Sequence, residues 1–250
     1  MKKKIVGIIP SRYDSTRLPG KALVDIGGKT MIQRVYEQAL KAKYLDKVVV
    51  ATDSERIYEH IQSIGGNVLM TATTHRNGTE RCAEVAQKLG HEFQVAINIQ
   101  GDEPFIDPQQ IDLIGELFED DETEIATLIK KIEVAEQIFD EKEAKVVFNR
   151  NMEAIYFSRS AIPFLNGVPM KNWFKKQDYY KHLGIYGFQT SILSEIAELP
   201  PSALELSEGL EQLRWLDYYS IRVAVSATDT LAIDTPEDLK KVEAYLKKIN

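Results

Sequence analysis

The sequence predicts an α/β fold with a mostly parallel sheet and helices on both of its faces. Short apolar segments rich in β-branched residues alternate with amphipathic helical segments along the first half of the chain. This alternation favours parallel strands joined by crossover helices. The 250 residues, of which 44% are hydrophobic, suffice for one large domain with a substantial core.

Four buried strands are predicted in the first half, because each segment is apolar without the alternation of a half-exposed strand. They cover Lys4–Ile9, Lys47–Ala51, Asn67–Thr71 and Val95–Ile99. Helical periodicity separates them. We predict helices over Met31–Lys43, Ser54–Ile64 and Thr79–Leu89, and a fourth that begins at Asp107-Pro108. Asp53 is expected to cap the second helix, and a proline at the first helical position is typical of a helix start.

The second half of the chain is less regular. Strands are predicted over Ile125–Lys131, Lys145–Phe148, Ile155–Phe157, Ile185–Phe188 and Arg222–Ala227. The pattern predicts one helix over Leu204–Leu216 and a loop over Asn166–Lys181. Thr235 followed by proline and two acids indicates the start of a final helix, Pro236–Lys248.

Composition excludes several classes of protein. The net charge of -7 disfavours binding to nucleic acid or to anionic lipid, so an anionic ligand needs a local basic cluster. The single cysteine, Cys82, excludes an intramolecular disulfide and a cysteine-based zinc site, and we expect it to be a packed thiol. No apolar run approaches the roughly 20 residues of a membrane helix, and the N-terminus lacks a signal sequence. We therefore expect a cytoplasmic protein without membrane insertion.

The loop after the first strand concentrates positive charge. Arg12, Arg17 and Lys21 lie in it, together with hydroxyl groups that include Ser11, and Gly20 allows close approach of a ligand. Ligands in open α/β sheets bind at the carboxyl ends of strands, and three clustered cations suit a triphosphate. The alternative is an ordinary solvated loop.

Eight segments, in order along the chain, carry a resemblance to a known family. They are Ile8–Lys21, Val48–Asp53, His75–Arg81, Asn98–Pro104, Tyr156–Phe164, Lys181–Phe188, Leu210–Arg214 and Asp234–Leu239. Over nearly its whole length the chain resembles the 3-deoxy-manno-octulosonate (KDO) cytidylyltransferases, or CMP-KDO synthetases. The resemblance implies a nucleotide-diphospho-sugar transferase fold and a homodimer. It also implies Mg²⁺ as cofactor, CTP and an acidic eight-carbon sugar as substrates, and a role in lipopolysaccharide synthesis.

The sequence departs from the family pattern in places. Ser11 and Asn77 replace the usual alanine and serine, which are similarly small. The stretch that precedes Asp234 is more similar to a subgroup that acts on the 8-amino form of KDO, so the exact sugar stays open. Three rival functions also stay open: a sialic acid cytidylyltransferase, a glycosyltransferase and a non-catalytic nucleotide-sugar-binding protein.

Two aspartates are the candidate magnesium ligands. Asp102 follows the strand Val95–Ile99, and Asp234 precedes the final helix. Carboxylates suit Mg²⁺, which is commonly held by one or two of them together with substrate phosphates. We expect Asp102 and Asp234 to converge on this metal, with Glu103 a weaker candidate. The competing interpretations are a turn residue for Asp102 and a helix cap for Asp234.

The predicted chemistry is displacement at the α-phosphorus of CTP by the anomeric hydroxyl of the sugar, without a protein nucleophile. Lys21, Asp102 and Asp234 are the expected catalytic residues. The expected nucleotide-binding residues are Ser11, Arg12, Arg17, Lys21, His75, Asn77, Gly78, Arg81 and Gln100. Backbone groups of the segment from His75 to Arg81 are expected to read the base.

The resemblance implies that Arg159, His182, Tyr186, Glu211 and Gln212 contact the sugar, with Arg159 the first choice for its carboxylate. From the residues alone, a helical Glu-Gln pair is typical of a solvated face, and His182 is more often structural. We expect one domain over residues 1–250. It divides into a nucleotide-binding half of about 1–130, a sugar-binding and dimerisation half of about 131–230, and a C-terminal helix over 235–249.

Overall fold

In the computed structural model, which describes residues 2–14, 18–240 and 242, four parallel strands form one side of a central sheet. They are β1 Ile5–Ser11, β2 Lys47–Thr52, β3 Val68–Met70 and β4 Val95–Asn98. Their order is β3-β2-β1-β4, and each neighbouring pair is parallel. The parallel arrangement predicted for the first half is confirmed.

Five further strands complete the sheet. They are β5 Ile125–Lys131, β6 Lys145–Phe148, β7 Ala154–Ser158, β8 Tyr180–Gln189 and β9 Ile221–Val225. Strand β8 lies between β4 and β5 and is antiparallel to both, whereas β9 is parallel to β5. The pair β6–β7 is antiparallel and joins the sheet through β6 and β8. Strand β8 therefore connects the two halves of the chain.

Helices cover the sheet. They are α1 Met31–Ala39, α2 Glu55–Ser63, α3 Gly78–Leu89, α4 Pro108–Leu117, α5 Trp173–Lys176, α6 Thr190–Glu198, α7 Ala203–Glu208 and α8 Gln212–Trp215. Residues 236–240 are also helical. Apart from residue 242, the rest of the predicted C-terminal helix lies outside the described residues. No helix in the described part of the chain is long and apolar enough to cross a membrane.

Local capping explains where three of the first four helices begin. The side chains of Thr30, Asn77 and Asp107 accept hydrogen bonds from backbone N–H groups in the first turns of α1, α3 and α4. The expected cap by Asp53 is wrong, because the N-cap of α2 is Ser54. The carboxylate of Asp53 instead accepts a hydrogen bond from Arg81 at 2.6 Å.

The second half corrects three expectations. The single helix predicted over Leu204–Leu216 is two helices, because Gly209 at φ 62° ends α7 in the left-handed region. The predicted loop Asn166–Lys181 contains α5, whose Trp173 is buried, and the start of β8. Helix α6 lies where the sequence pattern predicts no element.

The sheet has an apolar core on each face. Val6 and Ile8 of β1 belong to one cluster, while Ile5 and Ile9 belong to the other. Successive residues of a strand point to opposite faces, so an uninterrupted apolar strand requires cover on both. Cys82 is fully buried in the first cluster, which confirms the prediction of a packed thiol.

Candidate active site

A cleft of about 250 Å³ lies at the carboxyl ends of β1 and β4. It is lined by Pro10, Ser11, Arg12, Lys21, Ala22, His75, Arg76, Asn77, Gly78, Arg81, Gln100, Gly101, Asp102 and Asp234. All of the described residues that we expected to bind the nucleotide are in this group. Arg17 lies outside the described residues.

Backbone contact joins the loop that follows β4 to the end of β1. A Cβ atom on Gly101 would lie 2.8 Å from the carbonyl oxygen of Pro10, which is too close for any side chain. Gly101 therefore allows the loop that carries Asp102 to pack directly on the end of β1, which precedes the loop that carries the cations.

Lys21 lies between two carboxylates at the centre of the cleft. Its Nζ donates to Asp102 Oδ2 and to Asp234 Oδ1, at 2.7 Å in each case. The fold thus brings together two aspartates that are far apart in the sequence. Among the described residues, no group of three or more His, Cys, Asp or Glu side chains could hold a metal ion. A metal on Asp102 and Asp234 would therefore take its other ligands from substrate or water.

The position of Asp234 is set by its neighbours in the chain. The N–H of Ile233 donates to the carbonyl oxygen of Asp102 at 2.9 Å. Thr235 donates its hydroxyl to Asp238 at 2.8 Å, which closes the first turn of the last helical segment. Asp234 is held between these two contacts, directly beside the loop that follows β4.

The opening loop presents Lys21 through a left-handed turn. Gly20 has φ 67°, a conformation that favours glycine, and its N–H donates to the carbonyl of Tyr13 at 3.2 Å. Arg12 and Lys21 both line the cleft, together with the buried Ser11.

The N-terminus of α3 forms another wall. Gly78 lies against Pro10, where a Cβ atom would approach the proline ring to 3.1 Å. Asn77 caps this helix by accepting from the N–H of Glu80 at 2.9 Å. His75 is fixed by Glu84, with 2.5 Å between Nε2 and Oε2. The positive end of a 12-residue helix thus faces the cleft and favours an anion there.

Arg81 lines the cleft but is anchored inside the protein. It is buried and donates to Asp53 at 2.6 Å and to the hydroxyl of Thr71. These contacts tie α3 to the chain that follows β2 and β3. Its predicted contact with the nucleotide stays a prediction.

The residues expected to bind the sugar are absent from the described lining of this cleft, but two contacts connect them to it. Gln100 donates from Nε2 to the carbonyl of Gly184 in β8 at 2.8 Å. Thr79 in the first turn of α3 donates its hydroxyl to Glu211 at 3.0 Å. Both contacts join a nucleotide-half element to a second-half element.

His182 and Tyr186 lie on β8 in apolar surroundings. His182 Nε2 lies 3.0 Å from the hydroxyl of Thr127, and the ring packs edge-on against Phe157. Burial lowers the pKa of His182 to about 3, so the imidazole is neutral at physiological pH. Burial also raises the pKa of Tyr186, whose hydroxyl has no hydrogen-bond partner among the described residues.

The Glu-Gln pair is not a solvated helix face. Glu211 accepts from Thr79 and, at 2.5 Å, from Arg214 Nη2, and burial raises its pKa. Gln212 is only 5% exposed, and its Nε2 has no partner among the described residues. The interpretation as a solvated surface is therefore wrong.

Arg159, directly after β7, donates its guanidinium to three carbonyl oxygens. They belong to Glu208 at 2.7 Å, Glu141 at 2.9 Å and Gly209 at 3.3 Å. Because a guanidinium has five N–H groups, Arg159 keeps donors for a ligand while its orientation is fixed.

Sequence reasoning missed Thr127 and Thr79, and its choice of Glu103 as a weaker candidate for the metal stays a prediction. Thr127 is a polar residue within the apolar strand β5, which is a detectable signal, and it also donates to the carbonyl of Ile185 at 2.8 Å. The role of Thr79 depends on a partner that is distant in the chain and has no local signal. Glu103 is 4% exposed, and burial, together with the neighbouring charge of Asp102, raises its pKa to about 8.

Comparison with known proteins gives a consistent result. A family model described as Cytidylyltransferase matches residues 6–243. The chain is 50% identical over 248 residues to the 3-deoxy-manno-octulosonate cytidylyltransferase of Bacteroides thetaiotaomicron, covering 98% of each chain. It is also 50% identical over 248 residues to that of Parabacteroides distasonis, covering 97% of this chain and 98% of the relative.

A solved structure matches over the whole fold. It is that of CMP:2-keto-3-deoxy-manno-octonic acid synthetase complexed with CTP. The TM-score is 0.91 with 40% identity, and the match covers 99% of this chain and 100% of that one.

Proposed function

Since the chain belongs to the cytidylyltransferase family, we propose that it transfers CMP from CTP to the anomeric hydroxyl of KDO and releases pyrophosphate. One observation carries the proposal: Lys21, Asp102 and Asp234 meet in a cleft at the carboxyl ends of parallel strands. The full-length identity to relatives of this name supports the choice of substrates. The product would serve lipopolysaccharide synthesis.

The cleft suits the triphosphate of CTP. Arg12 and Lys21 supply positive charge, and the N-terminus of α3 supplies backbone donors and a favourable dipole. Gly78 lets the nucleotide approach the backbone closely. In this arrangement Lys21 would offset charge that develops on the phosphates during transfer, and Arg12 would do so on the departing pyrophosphate.

The donor set also fits magnesium. Asp102 and Asp234 each present an oxygen to one ammonium group at 2.7 Å, so the same pair can neutralise a divalent cation. When bound to these residues, Mg²⁺ would polarise the α-phosphate and lower the pKa of the attacking hydroxyl. The protein supplies the orientation of both carboxylates through the Ile233–Asp102 backbone contact.

The second half suits a polar, acidic sugar. Arg159 keeps donors for a carboxylate, while neutral His182 can exchange hydrogen bonds with hydroxyl groups. The hydroxyl of Tyr186 and the Nε2 of Gln212 are buried without partners among the described residues, although such groups are normally satisfied. Sugar hydroxyls would satisfy them. Glu211, fixed by Thr79 and Arg214, would complete the set.

We further propose that the chain forms one cytoplasmic domain that assembles as a homodimer through its second half. Large apolar side chains are exposed there, among them Ile155, Phe164, Met170 and Leu206. Such side chains are typical of interfaces when they form a patch. Sedimentation equilibrium would distinguish the dimer from a monomer.

The decisive assay is pyrophosphate release with each NTP against KDO, 8-amino-KDO and sialic acid. We expect turnover with CTP and KDO only, and dependence on Mg²⁺. Preference for 8-amino-KDO would support the second candidate, which the stretch before Asp234 favours. Binding of CTP without pyrophosphate release from any sugar would contradict the proposal and favour a non-catalytic binding protein.

A further inference from the structure

The connecting segment, residues 226–234, leads from β9 to Asp234 and contacts both halves of the protein. Ser226 donates its N–H to Ile129 in β5 at 2.8 Å, and Lys130 donates to the carbonyl of Ala227 at 3.0 Å. Gln110 in α4 donates to the carbonyl of Thr228 at 3.1 Å. The segment therefore begins on the strands of the second half and ends beside Asp102.

An ion pair holds the middle of this segment. Lys181 Nζ lies 2.8 Å from Asp229 Oδ2 and 2.9 Å from Glu143 Oε1. The side chain of Lys181 is only 9% exposed, whereas that of Asp229 is 42% exposed. A nearly buried ammonium that serves two carboxylates is better ordered than a typical surface pair, which contributes little. Asp229 is thus fixed from β8.

The ion pair between Lys181 and Asp229 lies between Ala227, the last residue of the segment that is anchored to a strand, and Asp234. After Thr228, the next backbone hydrogen bond that fixes the segment to the described part of the chain runs from Ile233 to Asp102. Between these points, the side chain of Asp229 pairs with the second half. Thr230 also pairs with the buried Glu103, so release of Asp229 would leave that contact and the Ile233–Asp102 hydrogen bond to hold the segment before the aspartate that reaches Lys21.

We propose that Lys181 is a positioning residue for Asp234 and acts through Asp229 and the connecting segment. The inference rests on the proposed function in one respect, the assignment of Asp234 as a metal ligand. Lys181 precedes His182 on β8, so the strand that carries sugar-binding groups would also set the geometry of the metal site. Residues that orient metal ligands from outside commonly affect metal affinity by 10–100-fold when they are changed.

The test uses Lys181→Met and Asp229→Asn, which break the same ion pair from opposite sides. Asp229→Asn changes an exposed side chain and keeps its size, so it should fold even if Lys181→Met does not. Lys181→Arg is the conservative variant. Lys131→Met is the matched control, because Lys131 forms an exposed ion pair with Asp178 at 2.7 Å in the second half of the protein.

Two measurements are made on the full-length protein without nucleotide or sugar. The first is binding of Mn²⁺ alone, followed by electron paramagnetic resonance. The second is hydrogen exchange of the Ile233 amide, which donates to Asp102. We expect both pair-breaking variants to weaken Mn²⁺ binding about tenfold and to exchange this amide faster. Lys181→Arg should restore much of both properties, and Lys131→Met should match the unaltered protein.

Equal Mn²⁺ affinity in Asp229→Asn and the unaltered protein would overturn the proposal, as would unchanged exchange at Ile233. Faster exchange with unchanged Mn²⁺ affinity would also overturn it, because the pair would then be purely structural. Neither measurement requires CMP transfer. A protein inactive with KDO that still shows both effects would refute the proposed function and leave this inference standing.

Discussion

The two halves of the proposed site present polar groups to a ligand in different ways: one presents exposed charges, and the other presents buried neutral groups. In the nucleotide-binding cleft, the side chains of Lys21, Asp102 and Asp234 remain 14%, 30% and 34% exposed and form two ion pairs. In the second half, Tyr186 and Gln212 are nearly buried and leave polar atoms unpaired within the described residues. Because these charges are partly exposed, replacing the contacts among them by contacts to metal and phosphate costs little desolvation energy. Buried neutral groups, in contrast, disfavour a ligand that leaves them without hydrogen-bond partners. This difference supports the proposal that the first half would supply catalytic electrostatics and the second would supply selectivity.

The largest expected effect tests the charged half. Asp102→Asn removes one of the two carboxylates on Lys21, so we expect kcat to fall about a thousandfold, while the fold is retained. Pyrophosphate release at saturating substrates measures this change. Asp121→Asn, which alters an exposed pair with Lys3, is the control and should behave as the unaltered protein. Normal magnesium-dependent turnover in Asp102→Asn would remove this residue from the catalytic site.

The next effect separates the two halves. Arg159→Ala should raise the KM for the sugar about a hundredfold and change the KM for CTP little, because Arg159 belongs to the second half. Steady-state kinetics with each substrate varied in turn would measure the split. Equal effects on both constants would mean that the halves do not divide the substrates as proposed.

A smaller effect tests the unpaired buried groups. Gln212→Leu removes an amide whose Nε2 has no partner among the described residues, so the free energy of unfolding should be unchanged or higher. The KM for the sugar should nevertheless rise about tenfold. Urea denaturation and sugar titration provide the two readings. Loss of stability with an unchanged KM would show that Gln212 serves the core.

The last prediction concerns how the free energy of unfolding depends on pH. The folded pKa of His182, at about 3, lies below its ordinary value of 6.5, so the unfolded chain binds the extra proton first as pH falls. The contribution of His182 to the free energy of unfolding is complete above pH 6.5. It is lost as pH falls toward 3, by about 1.4 kcal/mol per pH unit.

His182→Gln should remove the contribution of one protonation from the pH dependence of the free energy of unfolding. Denaturation of both proteins at pH 7 and pH 5 would measure it. A histidine that is solvated in the folded protein would leave the two pH dependences identical, and the contrast between an exposed half and a buried half would then fail at this residue.

The first half was the more predictable from sequence because its signals are local. Apolar runs define β1 and β4, and Asp107 and Asn77 mark helix starts through contacts within one turn. The position of Asp102 follows from the general rule that loops at the carboxyl ends of strands form the site, whereas Asp234 reaches it through the connecting segment after β9, which is not adjacent to β4 in the sheet. By contrast, the burial of Gln212 and the contact between Thr79 and Glu211 depend on how distant elements pack. Gly209 carried a local signal for the break between α7 and α8 that the helical periodicity concealed.

The close approach at Gly101 has a consequence for how this protein can be altered. With 2.8 Å between a would-be Cβ and the carbonyl oxygen of Pro10, no other amino acid fits without moving the loop that carries Asp102 away from the end of β1. The spacing between this loop and β1 is therefore fixed by main-chain contact rather than by side chains. In a library that randomises every position, residue 101 should be among the least tolerant. Engineering toward a different sugar should leave it untouched and vary the residues around β8 instead.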